Sequence, residues 1–303
     1  MHAREQPGDP MAAASGDPPA KASAAARRRA WHGDTRLGWL FGGVALIAVG
    51  WAGYQRWLGA SAWPEELALL AVVAFAGFVS GVAGFAFSAI AAGGFAHLRL
   101  DPIQAVEVMA LCSLAIQSYG VVAMRREIRW RCVLPFAAGG LATLPVGVYW
   151  LTHMSVWVFN LLLGVFLLAY GLQALLRPIR RHWRGNALTD VAVGALGGIT
   201  GGLAAFPSAF VTIWCTLRGW DKDRSRGVYQ PYILVMQLAA VAWMRAESVP
   251  FVDADVAVPC VAVALLAAHF GLGVFHRLGN LQFARLVYAL LAVSGIALLA
   301  RAL

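Results

Sequence analysis

GFVSGVAGFAF, Gly77 to Phe87, places three glycines four and three residues apart inside an apolar run. Each glycine costs roughly 1 kcal/mol against alanine in a helix interior, so so many in one membrane-like segment calls for a reason. The stretch GALGGITGGL, Gly194 to Leu203, repeats the spacing, with Gly77, Gly81 and Gly84 falling on Gly194, Gly198 and Gly201. The motif occurs twice, which predicts a duplicated chain.

Composition sets the environment. Of 303 residues, 60% are hydrophobic and 13% charged, and the mean hydropathy is +0.68, too apolar for a soluble globule. This is the composition of a polytopic all-α membrane protein, its apolar runs long enough to cross roughly 30 Å of hydrocarbon. The net charge of +9 sits mostly in short arginine-bearing loops, a topological pattern that excludes nucleic acid as a partner. Cys112, Cys132, Cys215 and Cys260 stand singly, without the spacing of a disulfide framework or a zinc site.

Residues 1–36 are rich in Ala, Pro and charge, which predicts a disordered, uncleaved cytoplasmic tail. An extra transmembrane helix is expected at 37–54. Two four-segment units follow, 67–176 and 188–303, joined by a cytoplasmic loop at 177–187. Outside the glycines, LCSLAIQ ending at Gln117 matches YILVMQ ending at Gln237, and PVGVYWL around Gly147 matches GLGVFHRL around Gly273. Internal duplication is a common way to build a transporter, with the substrate site between the copies.

Charge separates two topologies. If all nine apolar segments cross, 13 Lys and Arg lie inside and 11 outside; if 67–97 and 188–217 enter and return on one side, 20 lie inside and 4 outside. The positive-inside rule favours the second arrangement. It makes the glycine-rich segments re-entrant and leaves three crossings per copy, so the copies are inverted relative to one another. In this count Arg224 and Arg226 are loop charges that set topology.

A segment that turns back within the bilayer must break its helix, and glycine tolerates the backbone angles this requires. Gly84 and Gly201 are expected to be the turn positions, with Pro207 strengthening the second break. The N–H groups at the start of each second half-helix, with the positive end of its dipole, suit an anion. Ser88 and Ser208 offer hydroxyls there, and Gln117 and Gln237 offer amides at matching places. The competing explanation is that Gly-x-x-x-Gly simply packs helices closely.

GFVSGVAGFAFSAIAAG opening one half, GALGGITGGLAAFPSAF opening the other, and RGVYQPYILVMQ after it together resemble the TauE/SafE sulfite-exporter family, also called the 4-toluenesulfonate uptake permease family. The resemblance spans roughly Leu67 to Leu303. It implies a secondary carrier in the bacterial inner membrane, with its N-terminus cytoplasmic, for a small sulfur-containing or organic anion such as sulfite, sulfoacetate or a sulfonate. The chain departs from many relatives in carrying AVEVMALC after Asp101-Pro102, with Glu107 in the apolar run.

The candidate substrate-binding residues are Gly81, Gly84, Phe85, Ser88 and Gln117 in the first copy, and Gly198, Thr200, Gly201, Gly202, Ser208, Gln230 and Gln237 in the second. Glu107 and His269 are candidate proton or coupling-ion groups, because ionisable side chains are rare in membrane segments unless paired or functional. The expected partners are the bilayer, a small anion and, as an open alternative, further copies of the chain; no cofactor or metal is called for. An intramembrane hydrolase built on Ser80 with His153 or His269 is an alternative, although no H-E-x-x-H or G-x-S-x-G supports it. A non-transporting membrane assembly protein is another, and irregular backbone at mid-membrane argues against it.

Overall fold

The same sequence of helix lengths occurs twice along the chain. The computed structural model describes residues 63–95, 98, 102–153, 156–176, 183–204, 207–246 and 253–302. The expected tail at 1–36, the helix at 37–54 and most of the 177–187 loop lie outside the described residues. The first set of helices is α1 (Trp63–Ala83), α2 (Phe87–Phe95), α3 (Pro102–Ala123), α4 (Trp130–His153) and α5 (Val156–Leu176). The second is α6 (Ala187–Ala204), α7 (Ser208–Leu217), α8 (Lys222–Ala246), α9 (Ala254–Arg277) and α10 (Asn280–Ala302). In each set a long helix is followed by a short one of nine or ten residues, then by three long helices. The described residues contain no strand.

Among the described residues four helices, α1, α4, α9 and α10, are long and apolar enough to cross a membrane, as in a multi-pass membrane protein. Their apolar character runs all round, with large side chains such as Phe75, Leu134, Phe270 and Val293 exposed on the outside, as lipid-facing helices require.

The packing is symmetric on exchange of the halves. Helix α1 packs along α9 and α6 along α4, while α3 pairs with α8 and α5 with α10. Small residues make the first two contacts close. A methyl added at Gly81 would sit 2.7 Å from the Ala268 Cα of α9, and one added at Gly202 would sit 2.7 Å from the Leu144 carbonyl and the Val148 nitrogen of α4. Gly271 faces Phe78 and Gly81, just as Gly147 faces Ile199 and Gly202. These contacts correct the register expected from the sequence. Gly81 corresponds to Gly202 rather than Gly198, one helical turn later, and Gly147 corresponds to Gly271 rather than Gly273, which has open space around it. Glycines four apart match one another at several registers, and only the facing helix selects one.

The core beside the first break is built from i, i+4 ridges: Leu69, Val73 and Ala76 of α1 meet Phe87 and Ala91 of α2, Cys112 and Ile116 of α3, and Cys260, Ala264 and Ala268 of α9. Such ridges interdigitate between helices.

Candidate functional site

The first break occupies residues 84–86 between α1 and α2. Gly84 has φ +82°, the left-handed conformation that favours glycine, and Ala86 has φ +76°, where a side chain is strained. A helix that stops here leaves carbonyls without intrahelical partners, and no water of the hydrocarbon layer can serve them. Side chains of α3 and α8 do so instead. The Arg226 Nη1 donates to the Val82 carbonyl at 3.1 Å, the Tyr229 hydroxyl donates to the Ala83 carbonyl, and the Gln117 Nε2 donates to the Gly84 carbonyl at 3.2 Å. Phe85 is then held edge-on against the Tyr229 ring, centroids 5.9 Å apart.

The second break follows Ala204 and ends at Pro207, the residue before α7. Gly201 is therefore not the turn: it lies inside α6, and only Gly84 and Gly219 have positive φ among the described glycines. Pro207 stands at the N-terminal cap of α7, where its missing N–H costs nothing. From α8, the Tyr232 hydroxyl donates to the Gly194 carbonyl at 2.9 Å.

Residues of both segments meet around one small, half-open pocket. Phe85, Ala86, Phe87 and Ser88 line it from the first break, Pro207 and Ser208 from the second. Ser113 and Gln117 of α3 and Ile233 and Gln237 of α8 complete the wall. The Gln237 Nε2 donates to the Ser113 hydroxyl, and the Oε1 atoms of both glutamines are buried without a hydrogen-bond partner. Gln117 and Gln237 thus line the same pocket, one from α3 and the other from α8.

Of the residues singled out from sequence, the structure gathers Phe85, Ser88, Gln117, Ser208 and Gln237 at this cavity. Gly84 is the turn beside it. Gly81, Gly198 and Gly202 lie in the α1–α9 and α4–α6 contacts, where close helix packing explains them. The Thr200 hydroxyl bonds back to its own helix at Leu196 and Gly197. Gln230 is buried under the first break, its Oε1 accepting from Arg226 Nε at 2.8 Å. Glu107 is buried in α3, and His269 Nδ1 is 2.6 Å from the Tyr119 hydroxyl; neither lines the cavity. Ser80 is buried in α1 with no hydrogen-bond partner for its hydroxyl, so it forms no pair with His269.

Arg226, Tyr229, Tyr232 and Ser113 were missed. Arg226 is not a loop charge: it lies in α8, 1% exposed. The signal was the spacing of Arg226, Gln230 and Gln237, at i, i+4 and i+11, which puts three polar side chains on one face of α8.

Comparison with known proteins agrees with this architecture. The model of the sulfite exporter TauE/SafE family matches residues 69–298. A probable sulfite/organosulfonate exporter TauE of Cupriavidus necator is 31% identical over 141 residues, 45% of this chain and 55% of that protein. The match thus spans about half the length of that relative. No solved structure matches the chain significantly. With the family model covering most of its length and both halves of its helical core, the chain belongs to the TauE/SafE sulfite exporter family of membrane transporters.

Proposed function

We propose that this protein is a secondary carrier of the bacterial inner membrane that binds a small sulfur-containing or organic anion, such as sulfite, sulfoacetate or a sulfonate, in the cavity between the two breaks. One observation carries the reading: both helix breaks, arising 121 residues apart in the chain, line a single cavity together with the paired glutamines. The starts of α2 and α7 bring unpaired N–H groups and positive dipole ends to it. Ser88, Ser113 and Ser208 add hydroxyl donors, and the second N–H of each glutamine amide, the first being given to Gly84 or Ser113, adds a neutral donor that avoids the desolvation cost of a buried lysine. The pocket wall therefore offers an oxyanion several polar partners in place of water.

In this reading 63–95 and 187–217 are re-entrant, the halves are inverted, and the N-terminus is cytoplasmic. Support comes from the ends of the second segment, where the Trp183 N–H donates to the Leu217 carbonyl at 3.0 Å, so the chain returns to where it entered. Moving Arg226 from the loop set to α8 leaves the charge bias in place. Glu107 and His269 serve as proton or coupling-ion groups rather than ligands, since both stand away from the cavity wall. The description of the Cupriavidus relative as a probable sulfite/organosulfonate exporter is consistent with the substrate class.

The test is uptake and efflux by proteoliposomes across sulfite, thiosulfate, sulfoacetate, an aryl sulfonate and simple carboxylates, with the pH gradient varied. Flux of at least one sulfur oxyanion is expected. No flux of any of them contradicts the proposal.

A further inference from the structure

We propose that Arg226 is the positioning residue of the anion site: it acts through the backbone of the first break and does not touch the anion. This rests on the transport reading above. Among the described residues, Arg226 is the largest side chain buried below 2% exposure. It donates to the Gln230 Oε1 at 2.8 Å and to the Val82 carbonyl at 3.1 Å, its guanidinium carbon lies 4.4 Å from the centre of the Phe275 ring, and the Asp223 carboxylate one turn earlier in α8 adds an attractive charge. Burying a guanidinium is costly, and an apolar side chain of similar volume often does as well where only packing is at stake.

What Arg226 supplies is specific to the break. Its cation stands at the C-terminal end of α1, where the helix dipole favours positive charge. It also lies against Gly84 itself, since a methyl added there would be 3.1 Å from Arg226 Nε and 2.8 Å from Tyr229 Cε2. The guanidinium and the tyrosine thus clamp the left-handed turn from one side, and Gln117 holds it from α3. Phe85 and Ser88 follow within four residues and line the cavity. Loosening the clamp moves the wall.

Two measurements on full-length protein test this: the KM for sulfite in proteoliposomes, and amide hydrogen exchange of residues 84–88 in detergent. Arg226→Gln should raise KM at least about tenfold with a smaller change in turnover, and should speed exchange at 84–88 at least about tenfold while the rest of the chain keeps its protection. Arg226→Lys should recover most of both losses. Arg277→Gln, which removes an exposed charge at the end of α9, should change neither. If Arg226→Gln does not fold, Tyr229→Phe, which removes the donor to Ala83 but keeps the ring, should show the same two changes. A merely structural role would lower the yield of folded protein and leave KM and local exchange as they were. A folded Arg226→Gln, or failing that Tyr229→Phe, with unaltered KM and exchange overturns the proposal. Should the parent protein move no anion, the transport reading falls, and unaltered exchange alone still overturns the role of Arg226.

Discussion

Asp190, in the first turn of α6, and Arg218, at the C-terminal cap of α7, form an ion pair in which one guanidinium nitrogen lies 3.0 Å from both carboxylate oxygens. The Trp214 indole donates to the same carboxylate at 2.8 Å, and Arg218 also donates to the Gly185 carbonyl at 3.1 Å. Each charge stands at the helix end whose dipole favours it. The pair ties together the two legs of the second broken segment, so its tip, and with it Ser208, is held by a closed base.

Removing one member of this pair leaves the other charge largely buried without its counter-ion. Asp190→Ala should cost about 2 kcal/mol, within the range for hydrogen bonds to charged groups. The double variant Asp190→Ala/Arg218→Ala should lose less than the sum of the two single losses, because the orphaned charge is gone. Thermal unfolding in detergent measures both, and strictly additive losses would contradict the coupling.

The two breaks differ in their demand for glycine. Gly84→Ala forces a side chain into a left-handed conformation, at about 1–2 kcal/mol, and presses it on Tyr229. Gly201→Ala adds a methyl inside a helix, 3.1 Å from the Pro207 Cβ, where helix propensity returns roughly 1 kcal/mol. Anion affinity should therefore fall sharply in Gly84→Ala and little in Gly201→Ala. Ala86→Gly, which relieves the strain at φ +76°, should keep the protein folded. Equal losses of affinity at Gly84 and Gly201 would show that the second break lies earlier than Ala204.

Gly81 and Gly202 serve packing. Alanine at either should lower the melting temperature, since overpacking costs about 1–3 kcal/mol, while the folded remainder keeps its KM. Gly273→Ala, with nothing within 4 Å, should be neutral or slightly stabilising. A change in KM at Gly81 or Gly202 without loss of stability would place them at the anion instead.

The helical segments and the place of Gln117 and Gln237 at one pocket were legible because each leaves a signature in the sequence: apolar length, and an amide in an apolar run. Phe85, Ser88 and Ser208 followed from recognising that the glycine segments break. The register of the glycines was not legible, because Gly81 matches Gly198 and Gly202 equally well until Ala268 and Leu144 are seen opposite. Nor was the burial of Arg226. An arginine next to the loop of Arg218 to Arg224 reads as one more loop charge, and what keeps it inside is a carbonyl at the end of α1, 144 residues away along the chain.

Topology follows from the same arrangement. On a cysteine-free background, cysteines at 128 and 222 should be protected from an impermeant reagent added outside intact cells, and a cysteine at 250 should be labelled. Labelling at 128 but not at 250 would contradict the re-entrant, inverted arrangement.

The central claim is that the anion sits between the two breaks, against Gln117 and Gln237. Its most direct test is the equilibrium affinity of the purified protein for a transported sulfur oxyanion, measured for the parent, Gln117→Leu and Gln237→Leu after each is shown to be folded by its melting temperature. The account predicts that each variant binds at least about tenfold more weakly, about 1.4 kcal/mol, with Gln117→Leu losing more because the Gly84 carbonyl also loses its donor. Folded variants that bind the transported anion as tightly as the parent would contradict it.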